Sequence, residues 1–522
     1  MSRTPATGGR LMIVAASFGA ALSLPARHTA STLAEAGRQS SPAVPRTWDD
    51  QAIAELELPL ANPVGSPKHV SADYYYRIPV RPIYKGYPVY APGREPPNYK
   101  AWLAEQEPQM LWGEEAGGTP HAPPLNDEAG WIAAGEMVFD APVGFSTGNN
   151  LRRLGEPAFY ESTGIALARD GLFPYQQYVI REKGRIELGV LACAMCHTRV
   201  MPDGGIIKGA QGNLPLDRML AYDLRHGTAP LDEVRRANRA LFAAPWLQPD
   251  PQARLDSMTR EELAALNEAE PPGVCARHRS SPFYPPHVPD LIGVKDRRYL
   301  DATGLQQHRS IVDLMRYAAL NQGADDLASF DGFIPAGDPD FRTLPEPTTQ
   351  TRYSDEQLYA LALYLYSRQP PPNPNPFDAR AKRGREVFRA QGCANCHTPP
   401  LYTNNKLAPA PGFRVPADHL KKYDILPAGV GTEPDLTMKT RRGTGYYKVP
   451  SLKGVWYRSM FGHGGWCATL EDWFDPRRLR DDYVPTGFKG AGVARRAVKG
   501  HEFGLKLPPD ERAALIAFLK TL

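Results

Sequence analysis

Apolar positions recur with helical spacing over the last third of the chain. From Ser354 to Arg368, Leu358, Leu361, Ala362 and Leu365 fall on one face, and Tyr359, Leu363 and Tyr366 make the other side apolar as well. This pattern predicts a helix buried nearly all round. Ser354 and Gln357, three apart, form a capping box for its start. The run Pro370-Pro371-Pro372-Asn373-Pro374-Asn375-Pro376 cannot continue it and reads as a stiff linker over residues 370–376, where we place a domain boundary. Beyond the linker Asp378 opens another helix, with Gly384 and Phe388 four apart on one face. The chain closes on a helix that starts with Pro508-Pro509-Asp510-Glu511, proline and acids in the first turn, and carries Leu515, Phe518, Leu519 and Leu522 as a stripe. Helices are also expected over Leu231 to Phe242, over Ser257 to Glu268 with Glu261 in its capping pattern, and over Ser310 to Asn321. Ile186, Leu188 and Val190 alternate with polar residues, as in a strand. Residues 31–130 show little periodicity (Tyr74-Tyr75-Tyr76, proline around Pro92 and Pro123) and read as a loop-rich lead-in wrapped on the body.

Composition adds bounds. The 522 residues are 42% hydrophobic and 23% charged, which is the make-up of a folded chain of several domains. The 53 prolines, about twice the ordinary share, fit long stiffened loops. The formal charge is only +4 and no block of like charges occurs, so neither nucleic acid nor a polybasic membrane contact is indicated. Residues 1–30 read as a secretory signal. Arg3 and Arg10 precede the apolar stretch Leu11 to Leu24, and small residues follow near Ala26 and Ala30. That stretch is too short to span a bilayer comfortably, and no later segment is long and apolar enough. An exported protein, periplasmic or secreted, is the expectation.

The candidate chemistry lies in the cysteines. Cys193-Ala194-Met195-Cys196-His197 and Cys393-Ala394-Asn395-Cys396-His397 are two copies of C-x-x-C-H, the attachment pattern of covalent haem c. Two thiols three apart reach both vinyl groups of one porphyrin, and the next residue puts an imidazole under the iron. A dithiol redox motif would not need histidine in both copies. Zinc held by both C-x-x-C pairs is the other alternative, and export favours haem. Two covalent haems are therefore expected, on Cys193, Cys196, Cys393 and Cys396, with His197 and His397 as axial ligands. Cys275 and Cys467 remain; they either pair as a disulfide or stay as buried thiols.

Around the second motif the chain resembles a class I cytochrome c. In that family a Gly-x-x-x-aromatic helix precedes C-x-x-C-H, and a terminal Leu-Ile-Ala-aromatic-Leu helix crosses it. Gly384 and Phe388 match the first, and Leu515-Ile516-Ala517-Phe518-Leu519 the second. Two such motifs in one exported chain also resemble the di-haem cytochrome c peroxidase superfamily. The stretches Lys448-Val449-Pro450-Ser451-Leu452-Lys453-Gly454-Val455-Trp456, Phe461-Gly462-His463-Gly464-Gly465 and Ala468-Thr469-Leu470-Glu471-Asp472 are similar to its signature, with Gly464 in place of the usual acid or amide. The wide spacing of the two motifs is closest to the rubber-oxygenase branch. The first half lacks the Gly-x-x-x-Phe lead-in before Cys193. The resemblance implies a mainly α protein of two cytochrome c-like haem domains, 131–369 and 377–522, joined by long irregular proline-rich loops.

It also bears on the sixth ligands. His419, Met438, Met460, His463 and His501 are available to the second haem. In the superfamily this ligand follows the Leu-x-[ED] segment, and His501 alone lies downstream, so a His397/His501 pair is expected and His463 is read as a polar residue lining the space between haems. For the first haem His226, His278, His287, His308, Met201, Met219, Met258 and Met315 are all available, and no spacing selects one. The resemblance implies an iron left open there. It implies a peroxidase-like oxidoreductase, one haem transferring electrons and the other binding peroxide or oxygen, served by a small redox protein or other electron donor. A plain electron-transfer cytochrome and a rubber-oxygenase-like dioxygenase are the alternatives. Calcium between the domains would also fit the resemblance, but no Asp/Glu spacing supports it. Trp456, Trp466 and Trp473 are expected in core packing rather than as a bridge between haems.

Overall fold

Helix Asp355–Ser367 forms where the apolar pattern puts it, and Ser354 and Gln357 close their capping box. Its partner is helix Glu128–Asp140. The two touch at Gly135, where an added Cβ would lie 2.0 Å from the Ala360 carbonyl oxygen and 2.6 Å from Tyr364 Cβ. Four residues on, Phe139 meets the Tyr364 ring at 5.4 Å. The second half repeats this contact. Helix Ala379–Ala390, capped by Asp378, crosses helix Pro509–Lys520. A Cβ on Gly384 would lie 1.9 Å from the Ala514 oxygen and 2.8 Å from Phe518 Cβ, and Phe388 meets the Phe518 ring at 5.4 Å. The computed structural model in which these contacts occur describes residues 43–115, 117–277, 279–337 and 351–522; the proposed signal over residues 1–30 lies outside them.

The repeat corrects one expectation. The first half does have a Gly-x-x-x-Phe helix, Gly135 to Phe139, and Ala360 to Tyr364 stand where Ala514 to Phe518 stand in the second. It was not legible because the chain between that helix and Cys193 builds a sheet. Strands Gly86–Tyr90, Leu172–Glu182, Arg185–Val190 and Gly144–Ser146 lie side by side in that order, all antiparallel, with Tyr178 opposite Leu188 and Gly144 opposite Val190. "Mainly α" is thus too simple: helical crossings carry both halves, and among the described residues a four-stranded sheet with four smaller two- or three-stranded sheets is set among them. Alternation marked only residues 186–190, because Leu172–Glu182 is buried on both faces for much of its length and reads as a mixed run.

Over its described residues the lead-in is not a wrapping. Gly86–Tyr90 is an edge strand of the sheet, and Trp48, fully buried, stacks on Tyr75 at 4.2 Å inside the main core. Helices Leu231–Phe242 and Ile311–Asn321 match their patterns. Helix Arg260–Glu268 does too, but its capping box joins Thr259 to Glu262, not Glu261. Cys275 and Cys467 are separate buried thiols, not a disulfide. Cys275 instead belongs to the apolar cluster against which Cys196 packs. No helix among the described residues is long and apolar enough to cross a membrane.

Candidate functional site

Strand Arg185–Val190 delivers the chain to Leu191, whose left-handed backbone (φ 63°) turns it into the short helix Cys193–His197. In the second half Gly392, at φ 71°, makes the same kind of turn from helix Ala379–Ala390 into Cys393–Asn395. Both motifs open on one cavity of about 1770 Å³. Cys193, Cys196, His197, Cys393, His397 and His501 line it, while Cys396 is half-buried outside the lining. Single-ligand pockets run to roughly 1,000 Å³, so this space exceeds the need of one small molecule.

Each motif histidine is held through Nδ1. His197 Nδ1 is 3.0 Å from the Pro289 carbonyl oxygen; His397 Nδ1 is 3.2 Å from those of Tyr402 and Pro450. A carbonyl there accepts the Nδ1 proton and leaves Nε2 as the free lone pair, the tautomer of a metal ligand. Pro450 belongs to the Val-Pro-Ser-Leu signature, which gives that stretch a physical task. Burial lowers the pKa of both rings, His197 to about 4, so both are neutral at ordinary pH. Burial likewise pushes the thiols of Cys193 and Cys393 up, to about 12 and about 11.

His501 faces His397. Their ring centres are 6.2 Å apart. A metal bonded at about 2 Å to one nitrogen of each ring, each nitrogen about 1 Å from its ring centre, needs roughly this separation. His501 Nδ1 is buried without a hydrogen-bond partner, and burial, then the neighbouring His397, lower its pKa to about 3. The two-histidine arrangement therefore fits an iron. Sequence reasoning missed what holds the loop. Arg478, fully buried, donates to the carbonyls of Trp473 (2.8 Å), Gly500 (3.0 Å) and His501 (2.8 Å), and its guanidinium lies 4.6 Å over the Trp473 ring. His501 itself sits at φ 46°, and its N–H donates to the Val430 oxygen at 2.7 Å. Gly500 permits that approach, since a Cβ there would lie 2.3 Å from the Gly431 carbonyl carbon.

The other candidates separate. His463 lines the cavity, stacked on Tyr447 at 3.8 Å and edge-on to Trp466 at 4.5 Å. Met460 also lines it, whereas His419 bonds the Tyr446 hydroxyl at 2.9 Å and Met438 does not reach the wall. Trp473 lines the cavity 5.5 Å from His501; Trp466 packs beside His463 and Trp456 against Tyr457. On the first side His287 reaches the cavity, its Nδ1 tied to the Gly462 oxygen at 2.8 Å. His226, His308, Met201, Met219, Met258 and Met315 do not line it, and His278 lies outside the described residues. Among the described residues no ring faces His197 as His501 faces His397, and no group of three His, Cys, Asp or Glu side chains is placed to hold a metal ion such as calcium.

No protein-family model matches the chain, and no curated protein matches it in sequence. Among solved structures it is similar to a MauG-like protein associated with microbial copper homeostasis, at 17% identity and a TM-score of 0.27, over 45% of this chain and 73% of that one. It is also similar to the hydrazine synthase of Kuenenia stuttgartiensis, at 15% identity and a TM-score of 0.27, over 58% of this chain and 91% of that one. Likenesses of this size establish neither a family nor an activity for this chain.

Proposed function

We propose that this chain is an exported di-haem c-type oxidoreductase of peroxidase-like character. The observation that carries the reading is the convergence of two C-x-x-C-H motifs on one cavity, each histidine held at Nδ1 by a backbone carbonyl, with His501 set opposite only the second. Cys193 and Cys196 would hold one haem and Cys393 and Cys396 the other, with His197 and His397 beneath the irons. Bound there, the haems supply electron transfer and peroxide or oxygen chemistry. The protein's own residues divide the labour. His501 closes the second site and keeps it for electron transfer. The first site is walled by the sheet and the residues flanking its strands, through Val143, Phe145, Thr147, Arg181 and Glu187. That wall orients a small oxidant and limits water.

The electron donor approaches the second site. Residues 377–522 hold 25 Lys and Arg against 14 Asp and Glu, so the rest of a chain of net charge +4 is acidic. Lys499 and Lys506, on either side of His501, are exposed, and the Lys406 charge reaches Cys396. An acidic redox protein is the complementary partner.

The test is the spectrum of the mature protein. Two covalent haems, one high-spin and one low-spin in the oxidised state, with turnover of peroxide, are expected. Two low-spin haems that stay so on reduction would leave an electron carrier without its own turnover, and a chain without covalent haem would overturn the reading.

A further inference from the structure

The cavity wall between the two motifs is cationic. Arg297, Arg442, Lys448 and Arg458 line it, with only Asp290 and Asp301 set among them. Arg442 pairs with Asp301 at 2.7 Å, and the Tyr317 hydroxyl donates to the same carboxylate at 3.0 Å. Asp290 accepts from the Tyr457 hydroxyl at 2.9 Å and lies 3.6 Å from Arg458. Arg297 turns its guanidinium to the backbone carbonyls of Asp290 and Ile292. The Lys448 ammonium has no carboxylate or hydrogen-bond partner of its own among the described residues. Burial, then the Arg297 charge, against the pull of Asp301 and with the push of Arg442 and Arg458, lowers its pKa to about 7. Three guanidinium cations, and an ammonium whose charge burial disfavours, thus face two carboxylates inside the wall. A buried surplus of positive charge is costly unless an anion answers it.

The cluster also has a fixed position relative to both motifs. Lys448 lies two residues before Pro450, whose carbonyl holds His397. The charges of Arg297 and Asp301 reach His197, which is held by Pro289, the neighbour of Asp290. An anion seated here lies beside the residues that anchor both motif histidines.

We propose that Arg297, Arg442, Lys448 and Arg458 form a binding site for paired carboxylates, and that its occupants are the carboxylates of the porphyrins held by the two motifs rather than a free acid from solution. The inference rests on the di-haem reading above. Guanidinium forks and an ammonium are the donors that suit carboxylate oxygens. A carboxylate carried by a group tethered at the cysteines would be present whenever the protein is mature. The cations would neutralise it, disfavour the extra positive charge of ferric iron, and raise the potential of the haem they serve.

The experiment compares mature wild-type protein with Lys448→Met and Lys448→Arg. Covalent haem is counted by the pyridine haemochrome, midpoint potentials are measured by spectroelectrochemical titration, and the carboxylate bending bands are followed by resonance Raman. Lys448→Met is expected to keep both haems, to lower the potential of at least one, and to shift its bands; Lys448→Arg is expected to restore both readouts. Should Lys448→Met fail to mature, Arg458→Gln carries the same expectation. Unchanged potentials and bands with two haems in place would overturn the carboxylate site and leave the di-haem reading standing. A saturable spectral response of the wild type to succinate, lost in Lys448→Met, would overturn it in favour of a free acid. A wild-type chain with no covalent haem would remove the reading on which the inference rests.

Discussion

His501 has an unusual set of constraints for one side chain: a left-handed backbone, a buried Nδ1 without a partner, and a ring 6.2 Å from that of His397. A histidine in such a place is strained and desolvated unless its lone pair is used. His501→Ala should therefore convert one haem from low to high spin in the oxidised protein and raise its potential, because one strong imidazole donor is lost. An unchanged low-spin spectrum would move the assignment to Met460 or His463, which line the same cavity. Arg478 acts on His501 through the backbone. It is a buried cation satisfied by carbonyls, and removing it strands acceptors that cost roughly 1–3 kcal/mol each. Arg478→Met should leave the covalent haem count unchanged and mix high-spin signal into the second haem, as loop 498–501 loosens. A wholly low-spin second haem in that variant would show that the loop holds His501 without it. The candidacy of His501 came from the resemblance to the di-haem peroxidase superfamily, whose ligand follows the segment matched here by Leu470-Glu471-Asp472. The role of Arg478 did not, because an arginine followed by Leu479 and Arg480 looks like surface until the fold buries it.

At the scale of elements the two glycine crossings are the strongest statement in the molecule. Each puts a helix backbone against a carbonyl of its partner, at Gly135 over Ala360 and at Gly384 over Ala514, and locks the contact with an aromatic pair. A methyl group has no room at either place, and overpacking of this kind typically costs about 1–3 kcal/mol. Gly135→Ala and Gly384→Ala should both be destabilising by that order, each in its own half, as read by thermal melts. Phe388→Ala should cost the second half roughly 3–5 kcal/mol, the usual result of emptying a buried aromatic site. A Gly135→Ala protein that melts like the wild type would end the parallel between the halves. The second crossing was readable because helix Ala379–Ala390 runs directly into its C-x-x-C-H motif. The first was hidden, since strands Gly144–Ser146, Leu172–Glu182 and Arg185–Val190 intervene between Gly135 and Cys193. Local pattern identifies a helix; it does not say which distant segment the helix serves.

At the scale of the whole molecule the two motifs share one cavity. Replacing Cys393 and Cys396 together by Ala should leave one covalent haem per chain and a poorly folded second half, because a group bound only by the native state stabilises that state. Haem staining with mass analysis reads the count, and two covalent haems in that variant would sink the assignment of the second motif. The basic second half and acidic remainder make a further expectation: reduction by an acidic donor protein should slow as ionic strength rises, since salt screens the attraction that guides docking. Salt-independent reduction would point to a neutral partner. What the amino-acid sequence determined by itself is whatever depends on residues close in the chain: the two C-x-x-C-H motifs, the caps at Ser354 and Asp378, the apolar stripe of the terminal helix, the proline run that ends a helix. These follow from covalent spacing and the helical repeat. The tertiary structure alone decided what depends on residues far apart: that both motifs open on one space, that His501 stands over His397, that Arg478 holds it there, that Gly135 answers Gly384, and that Lys448 joins three arginines in the wall between the motifs. Burial, which sets the protonation of those groups, is a property of the packed chain and has no local signature.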